Sequence, residues 1–117
     1  MLLAPEADGL FHALADATRR DIVAQAVRGD RSVSALARRY PMSVTAVQKH
    51  VGVLEAAGLV TKERRGREQI VHSNLGTLRR AQELLSQLEA IWRTRIDQIG
   101  ELLADDTQEG PPHADHR

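Results

Sequence analysis

Within Pro41 to Val60, PMSVTAVQKHVGVLEAAGLV, three polar residues fall at helical spacing: Thr45, Gln48 and Lys49. On a helix, positions three and four apart share a face. Gln can bond bidentately to adenine, Lys can donate to guanine, and a Thr methyl can touch the thymine methyl. The bland alternative is a solvated face, which usually carries Glu and Lys. Short polar side chains, followed by the missing side chain of Gly52, let a helix approach a polyanion closely. Acidic ones would repel its phosphates. Ser43, at the expected N-cap, leaves a helix N-terminus free to face a phosphate. His50 lies at the border of this face, where it either donates to a phosphate or covers a seam between helices.

A second cluster is cationic. Lys62, Arg64, Arg65 and Arg67 surround Gly66. Arginine suits both phosphate contact and a narrow minor groove. The plainer reading is a charged hairpin tip. Arg19 and Arg20 open a helix, where positive charge is mildly unfavourable. They are expected either against the backbone or in an ion pair with Asp16 or Asp21.

The elements that must hold these residues are mostly helical. Leu10, Phe11, Leu14 and Ala15 suggest a short first helix. Asp16 or Thr18 caps a second, ending at Gly29, with Ile22, Val23, Ala26 and Val27 inward. Ser32 or Ser34 starts a third, with Val33, Leu36, Ala37 and Tyr40 inward, and Pro41 ends it. The fourth runs from Ser43 to about Ala57 with Val44, Val47, Val51 and Leu54 as its buried stripe, and Gly58 takes the position after its C-cap. Residues 59–63 and 68–73 alternate as strands around a glycine turn, a β-hairpin with an arginine-rich tip. From Leu75 to about Leu103, Leu78, Ala81, Leu85, Leu88, Trp92, Ile99 and Leu102 follow a near-heptad spacing, with Arg95 or Ile96 at the imperfect step. At 1.5 Å per residue that helix is about 40 Å long, more than so small a domain can cover. Residues 104–117 are polar, hold two prolines and read as a disordered tail.

Composition narrows the function. The chain has 117 residues, fitting one domain, and three aromatics, so Leu, Val, Ile and Ala must build its core. No apolar run approaches the roughly 20 residues of a membrane span. The opening residues lack the pattern of a signal peptide. Cysteine is absent, which removes disulfides, thiolate metal sites and thiol switches. These features fit the cytoplasm. Net charge is zero, yet residues 17–72 carry a net +6 between acidic flanks, the footprint of a polyanion partner. The five histidines are scattered, and no nucleophile–base set, phosphate loop or carboxylate pair is discernible. His113 and His116, around Asp115, resemble a metal tract only superficially. No enzyme, cofactor or metal ligand is expected.

Two helices on a tight turn followed by a basic hairpin describe a winged helix-turn-helix. The residue order resembles the ArsR/SmtB family of bacterial repressors. LADATRRDIV (Leu14 to Val23) resembles its LADPTRRxIL, with Ala17 replacing proline. SVSALARRYPMSVTAVQKHVGVLEAAGLV (Ser32 to Val60) resembles its SVxELAxxLxxSxxAVSxHLxxLxxAGLV. RRGREQIVHSN (Arg64 to Asn74) resembles its wing, RxGRxxxYxLN. The resemblance implies a DNA-binding repressor whose long last helix, with Trp92, dimerises. Three departures stand out. Gln48 replaces a frequent serine, which bears on the operator sequence. Val71 or His72 replaces the wing tyrosine. Ser32 and Ser34 stand where metal- and arsenic-sensing members carry cysteines, and residues 75–103 contain no histidine, so neither metal site transfers.

The expected architecture is mainly α with a small β-hairpin, a winged helix-turn-helix over residues 1–103. The expected function is a homodimeric, sequence-specific repressor, autoregulatory by family inference. It would read an imperfect palindrome in double-stranded DNA through helix 43–57 and wing 62–70. DNA contacts are assigned to Ser43, Thr45, Gln48, Lys49, His50, Lys62, Arg64, Arg65 and Arg67, and the dimer interface to Leu10, Phe11, Leu85, Leu88, Trp92 and Ile99. Trp92 could alternatively line a ligand pocket. For release, a small apolar effector between the first and last helices, a non-cysteine metal at the interface, and no inducer all stay open. Two other classes stand beside this reading: a dimeric winged-helix module that binds protein, which needs no basic wing, and a metal-responsive regulator with a non-cysteine site.

Overall fold

A computed structural model of the chain describes residues 5–106. The elements are α1 (Glu6–Ala13), α2 (Ala17–Arg28), β1 (Arg31–Ser32), α3 (Val33–Ala37), α4 (Val44–Ala56), β2 (Val60–Arg65), β3 (Glu68–Ser73) and α5 (Leu75–Asp106). Side-chain caps start the middle helices. Asp16 Oδ2 accepts from the Arg19 amide at 2.9 Å, Ser32 Oγ from Ala35 at 3.0 Å, and Ser43 Oγ from Ala46 at 3.1 Å. Each satisfies one of the unpaired amides of a helix start. Helix α4 ends in a Schellman turn. Gly58 has φ 79°, its amide reaches the Glu55 carbonyl, and the Leu59 amide reaches that of Leu54 at 2.9 Å.

The chain divides into two units, one through Leu84 and one from Leu85 onward. The first holds the core. Ile22, Leu36, Val47, Val51, Leu54, Leu59, Val60, Val71 and Leu84 are fully buried, joining α2, α3, α4, the sheet and the first turns of α5. Asp21 clamps α2 to the turn after α3. Its Oδ2 accepts from Tyr40 Oη at 2.6 Å and from Arg39 Nε at 2.7 Å. Arg39 first, then Tyr40, holds the Asp21 carboxyl below its ordinary range. Burial, with Asp21 as acceptor, pushes the Tyr40 hydroxyl up.

Three details depart from the sequence reading. The hairpin is part of a three-stranded antiparallel sheet, ordered β1-β3-β2, because Arg31 and Ser32 pair with Val71 and Ile70. Val27 and Val44, expected inward, are 49% and 48% exposed. Leu84 is buried in the core of the first unit while Leu85 is exposed. Packing against a globular surface follows the i, i+3 step from Ala81 to Leu84, where the heptad reading had selected Leu85.

The second unit, within the described residues, is the remainder of α5. It leaves Leu85, Leu88, Ile91, Trp92, Ile96, Ile99, Leu102 and Leu103 exposed. The helix runs to Asp106, past the expected end at Leu103. The rest of the stretch expected as a tail, 107–117 with His113 and His116, lies outside the described residues.

Candidate nucleic-acid interface

Helix α4 is packed through Val47, Val51 and Leu54. That burial turns Thr45, Gln48 and Lys49 outward, all exposed and without hydrogen-bond or ion-pair partners among the described residues. Gly52 continues this side, and a Cβ there would meet nothing within 4 Å. Val44 belongs to this face too. It lies one turn before Gln48 and is 48% exposed, an apolar contact suited to a thymine methyl. Helical spacing put Val44 in the stripe with Val47 and Val51. At the first position of the helix, however, no neighbouring element covers it. Ser43 is exposed, and its hydroxyl serves as the cap.

His50 is held differently from its neighbours. Its Nδ1 lies 3.3 Å from Arg19 Nη1 and 3.8 Å from Asp16 Oδ2. Among the described residues neither Arg19 nor Arg20 forms the expected ion pair with Asp16 or Asp21; both guanidiniums bond main-chain carbonyls of the protein itself. Arg19 Nε donates to the Ala13 carbonyl at 2.7 Å and its Nη2 to that of His12 at 3.1 Å, while Arg20 Nη1 donates to Leu14 at 2.8 Å. These carbonyls lie at the end of α1, where that of His12 also accepts from the Ala15 amide at 3.2 Å, and the two guanidiniums add donors there that complement the helix dipole.

The wing is a two-residue hairpin. Arg65 pairs with Glu68, leaving Gly66 and Arg67 as the turn, with Gly66 at φ 65°. Its cations are not equivalent. Successive side chains of a strand point to opposite faces. Lys62 and Arg64 share the face of Val60 and Val71, both fully buried, and Lys62 Nζ lies 3.4 Å from Glu55 Oε1 on α4. Arg65 occupies the other face, where Glu63 Oε1 accepts from its Nη2 at 2.9 Å and from His72 Nε2 at 2.7 Å. His72 Nδ1 reaches Asp30 Oδ1 at 2.9 Å. Glu63 first, then Asp30, raises the His72 pKa above 6.5. His72 and then Arg65 lower that of Glu63. Among the described residues Arg64 and Arg67 have no ionic partner. Sequence reasoning grouped four cations and missed the two acids that engage Lys62 and Arg65: Glu55 comes from α4, which packs beside β2, and Glu63 lies two residues before Arg65 on the same face of β2.

The residues expected at a dimer interface divide. Leu85, Leu88, Trp92 and Ile99 are 46–64% exposed along α5. Phe11 is partly buried against the core of the first unit. Leu10 is 4% exposed and belongs to that core, which corrects its assignment to an intermolecular surface. An apolar stripe on a short helix does not reveal whose surface covers it. Among the described residues, no three His, Cys, Asp or Glu side chains are grouped to hold a metal ion, and no helix is long and apolar enough to cross a membrane.

A buried helix-turn-helix carrying an unpartnered polar face beside a basic wing is the arrangement found in known regulators. A family model described as a helix-turn-helix domain matches residues 14–63. The HTH-type transcriptional regulator Rv2034 of Mycobacterium tuberculosis is 33% identical over 106 residues, covering 86% of this chain and 94% of its own. An ArsR-like transcriptional regulator from Rhodococcus sp. RHA1 is 35% identical, with a TM-score of 0.70 over 83% of this chain and 92% of its own. The chain belongs to the ArsR family of winged helix-turn-helix transcriptional regulators. A crystal structure of a further ArsR family regulator, RHA00566, matches with 29% identity and a TM-score of 0.71, covering 80% of this chain and 97% of its own. In ArsR terms, α3 and α4 are the helix-turn-helix, α4 is the recognition helix, and β2 with β3 is the wing. The chain is a DNA-binding regulator and not an enzyme.

Proposed function

We propose that this ArsR-family regulator is a homodimeric, sequence-specific repressor that reads an imperfect palindrome. The observation that carries the proposal is the outer face of α4, where Val44, Thr45, Gln48 and Lys49 stand exposed beside the unpaired Arg64 and Arg67. A helix N-terminal half of that chemistry reads base edges in the major groove, and free guanidiniums hold the flanking backbone. Ser43 sits at the same helix entrance and contributes its position there. Lys62 and Arg65 take the lesser part, engaged as they are with Glu55 and Glu63.

Dimerisation rests on the exposed apolar face of α5, because Leu88, Trp92 and Ile99 need a partner surface. A two-fold dimer sets two recognition helices in successive major grooves, hence a palindromic operator. Occupying a promoter in this way blocks polymerase, and the gene's own promoter is the first candidate.

The test is titration of the purified protein against a fluorescent fragment of its upstream promoter and a scrambled fragment, at two salt concentrations. Preference for the promoter that disappears in Gln48→Ala supports the reading. Equal weak binding to both fragments moves the operator elsewhere in the genome. Absence of DNA binding at low salt overturns the proposal.

A further inference from the structure

We propose that Arg19 is a positioning residue for DNA contact: it fixes the tautomer of His50 so that the ring presents an Nε2–H to a phosphodiester oxygen. The inference deepens the repressor reading and rests on it for the identity of the acceptor.

The argument starts from what a guanidinium cannot do. Arginine stays protonated and has five donors and no acceptor. Arg19 Nη1 lies 3.3 Å from His50 Nδ1, so a hydrogen bond between them requires a lone pair on Nδ1. In a neutral imidazole the proton then sits on Nε2. The guanidinium is not free to turn away. Nε and Nη2 are bonded to the carbonyls of Ala13 and His12 at 2.7 and 3.1 Å. Its own amide caps onto Asp16 Oδ2 at 2.9 Å. Asp16 is the competitor, since the same Oδ2 lies 3.8 Å from His50 Nδ1. That distance is beyond hydrogen-bond reach.

The other ring nitrogen is available. Nε2 of His50 has no partner among the described residues, and no buried side-chain polar atom there is left unsatisfied. The ring is half-buried, with 23% of its side chain exposed, so Nε2 opens to solvent. His50 follows Gln48 and Lys49 on the recognition helix, at the edge of the outward face. A donor at that border meets the groove wall, where phosphate oxygens lie, while its neighbours meet base edges. Arg19 therefore links the end of α1 to the orientation of one donor on α4.

Two measurements test this. A long-range proton–nitrogen NMR spectrum of the free protein distinguishes the bare ring nitrogen from the protonated one. The expected result for His50 is a bare Nδ1 and a protonated Nε2, and a proton on Nδ1, directed at Asp16, overturns the proposal. For DNA affinity, His50→Gln keeps a donor near the Nε2 position and His50→Asn does not. Gln should bind within about threefold of wild type and Asn about tenfold more weakly, the scale of one hydrogen bond to a charged acceptor. The salt slope should be unchanged in both, because neither variant removes a phosphate-neutralising cation. Arg19→Ala should lose a similar factor, and adding it to His50→Asn should cost little more. Equal binding by the Gln and Asn variants, or full additivity of Arg19→Ala with His50→Asn, overturns the proposal. If Arg19→Ala does not fold, the spectrum and the His50 pair decide. Failure of wild type to bind DNA would refute the repressor reading itself, and the spectrum would still report the tautomer.

Discussion

Glu63 and His72 are diagonal neighbours across the wing strands, with Glu63 Oε1 2.7 Å from His72 Nε2, while Asp30 Oδ1 takes the opposite ring nitrogen at 2.9 Å. A ring that donates from both nitrogens is an imidazolium. The clasp therefore engages Glu63 and Asp30 at the same time, tying the base of the wing to the loop before β1, only while His72 is charged.

Its pH dependence has a definite sign. The folded His72 pKa is raised above 6.5. Its contribution to stability is complete below 6.5 and is lost as pH rises through the higher folded value. The folded Glu63 pKa is lowered below 4.5, so its contribution is present above 4.5 and is lost as pH falls through the folded value. Thermal melts of wild type and His72→Gln across about pH 5 to pH 9 should differ most at the mildly acidic end and converge at the alkaline end. A gap that widens toward alkaline pH would falsify the clasp.

The wing arginines should separate by salt dependence. Arg64→Ala and Arg67→Ala should each weaken binding across all DNA sequences and reduce the salt slope by about 1. Arg65→Ala should change the slope less, because its guanidinium is already engaged by Glu63. Fluorescence anisotropy over a series of salt concentrations reads both quantities.

Specificity should reside on α4. Gln48→Ala should cost about 1–3 kcal/mol of discrimination at one base position if its contact is bidentate. Val44→Ser should relax preference at a neighbouring thymine. Because Val44 is half exposed, its loss should change stability within about 0.5 kcal/mol. Binding selections on randomised operators give the preferences, and thermal melts give the stability.

The exposed face of α5 should govern assembly. Leu88→Glu should convert a dimer into a monomer in analytical ultracentrifugation, with operator affinity falling alongside. Trp92→Ala should shift the equilibrium in the same direction by removing a large apolar anchor. Unchanged sedimentation in both variants would move the interface to another surface.

Local signals in the sequence carried much of this structure. Asp16, Ser32, Ser43 and Gly58 mark helix ends because capping depends on residues a turn apart. Gly66 marks the hairpin because a two-residue turn needs positive φ. What escaped the reading depends on distant chain. Strand β1 is two residues long and exists only through Val71 and Ile70. Val44 and Leu10 both sit in apolar helical patterns, and only tertiary packing decides that the first faces out and the second in. The partner of Lys62 follows from the packing of α4 beside β2, and those of Arg19 from the end of another helix. The outward face of α4 was legible through Thr45, Gln48 and Lys49, whereas the tether of His50 to Arg19 was not.

The short ladder between Arg31–Ser32 and Val71–Ile70 also bears on how the molecule assembles. It closes a loop of chain containing α3, α4 and β2. Closing such a loop has an entropic cost that is recovered only when its ends meet, and contacts so distant in sequence form late compared with helical turns. Helix α4 can thus acquire its own hydrogen bonds early, whereas α2 and α3, on which it packs, receive β3 only later. Mutations that weaken β3 should therefore act on α4 indirectly, by loosening the α2 and α3 surfaces beneath it, and should speed unfolding more than they slow folding.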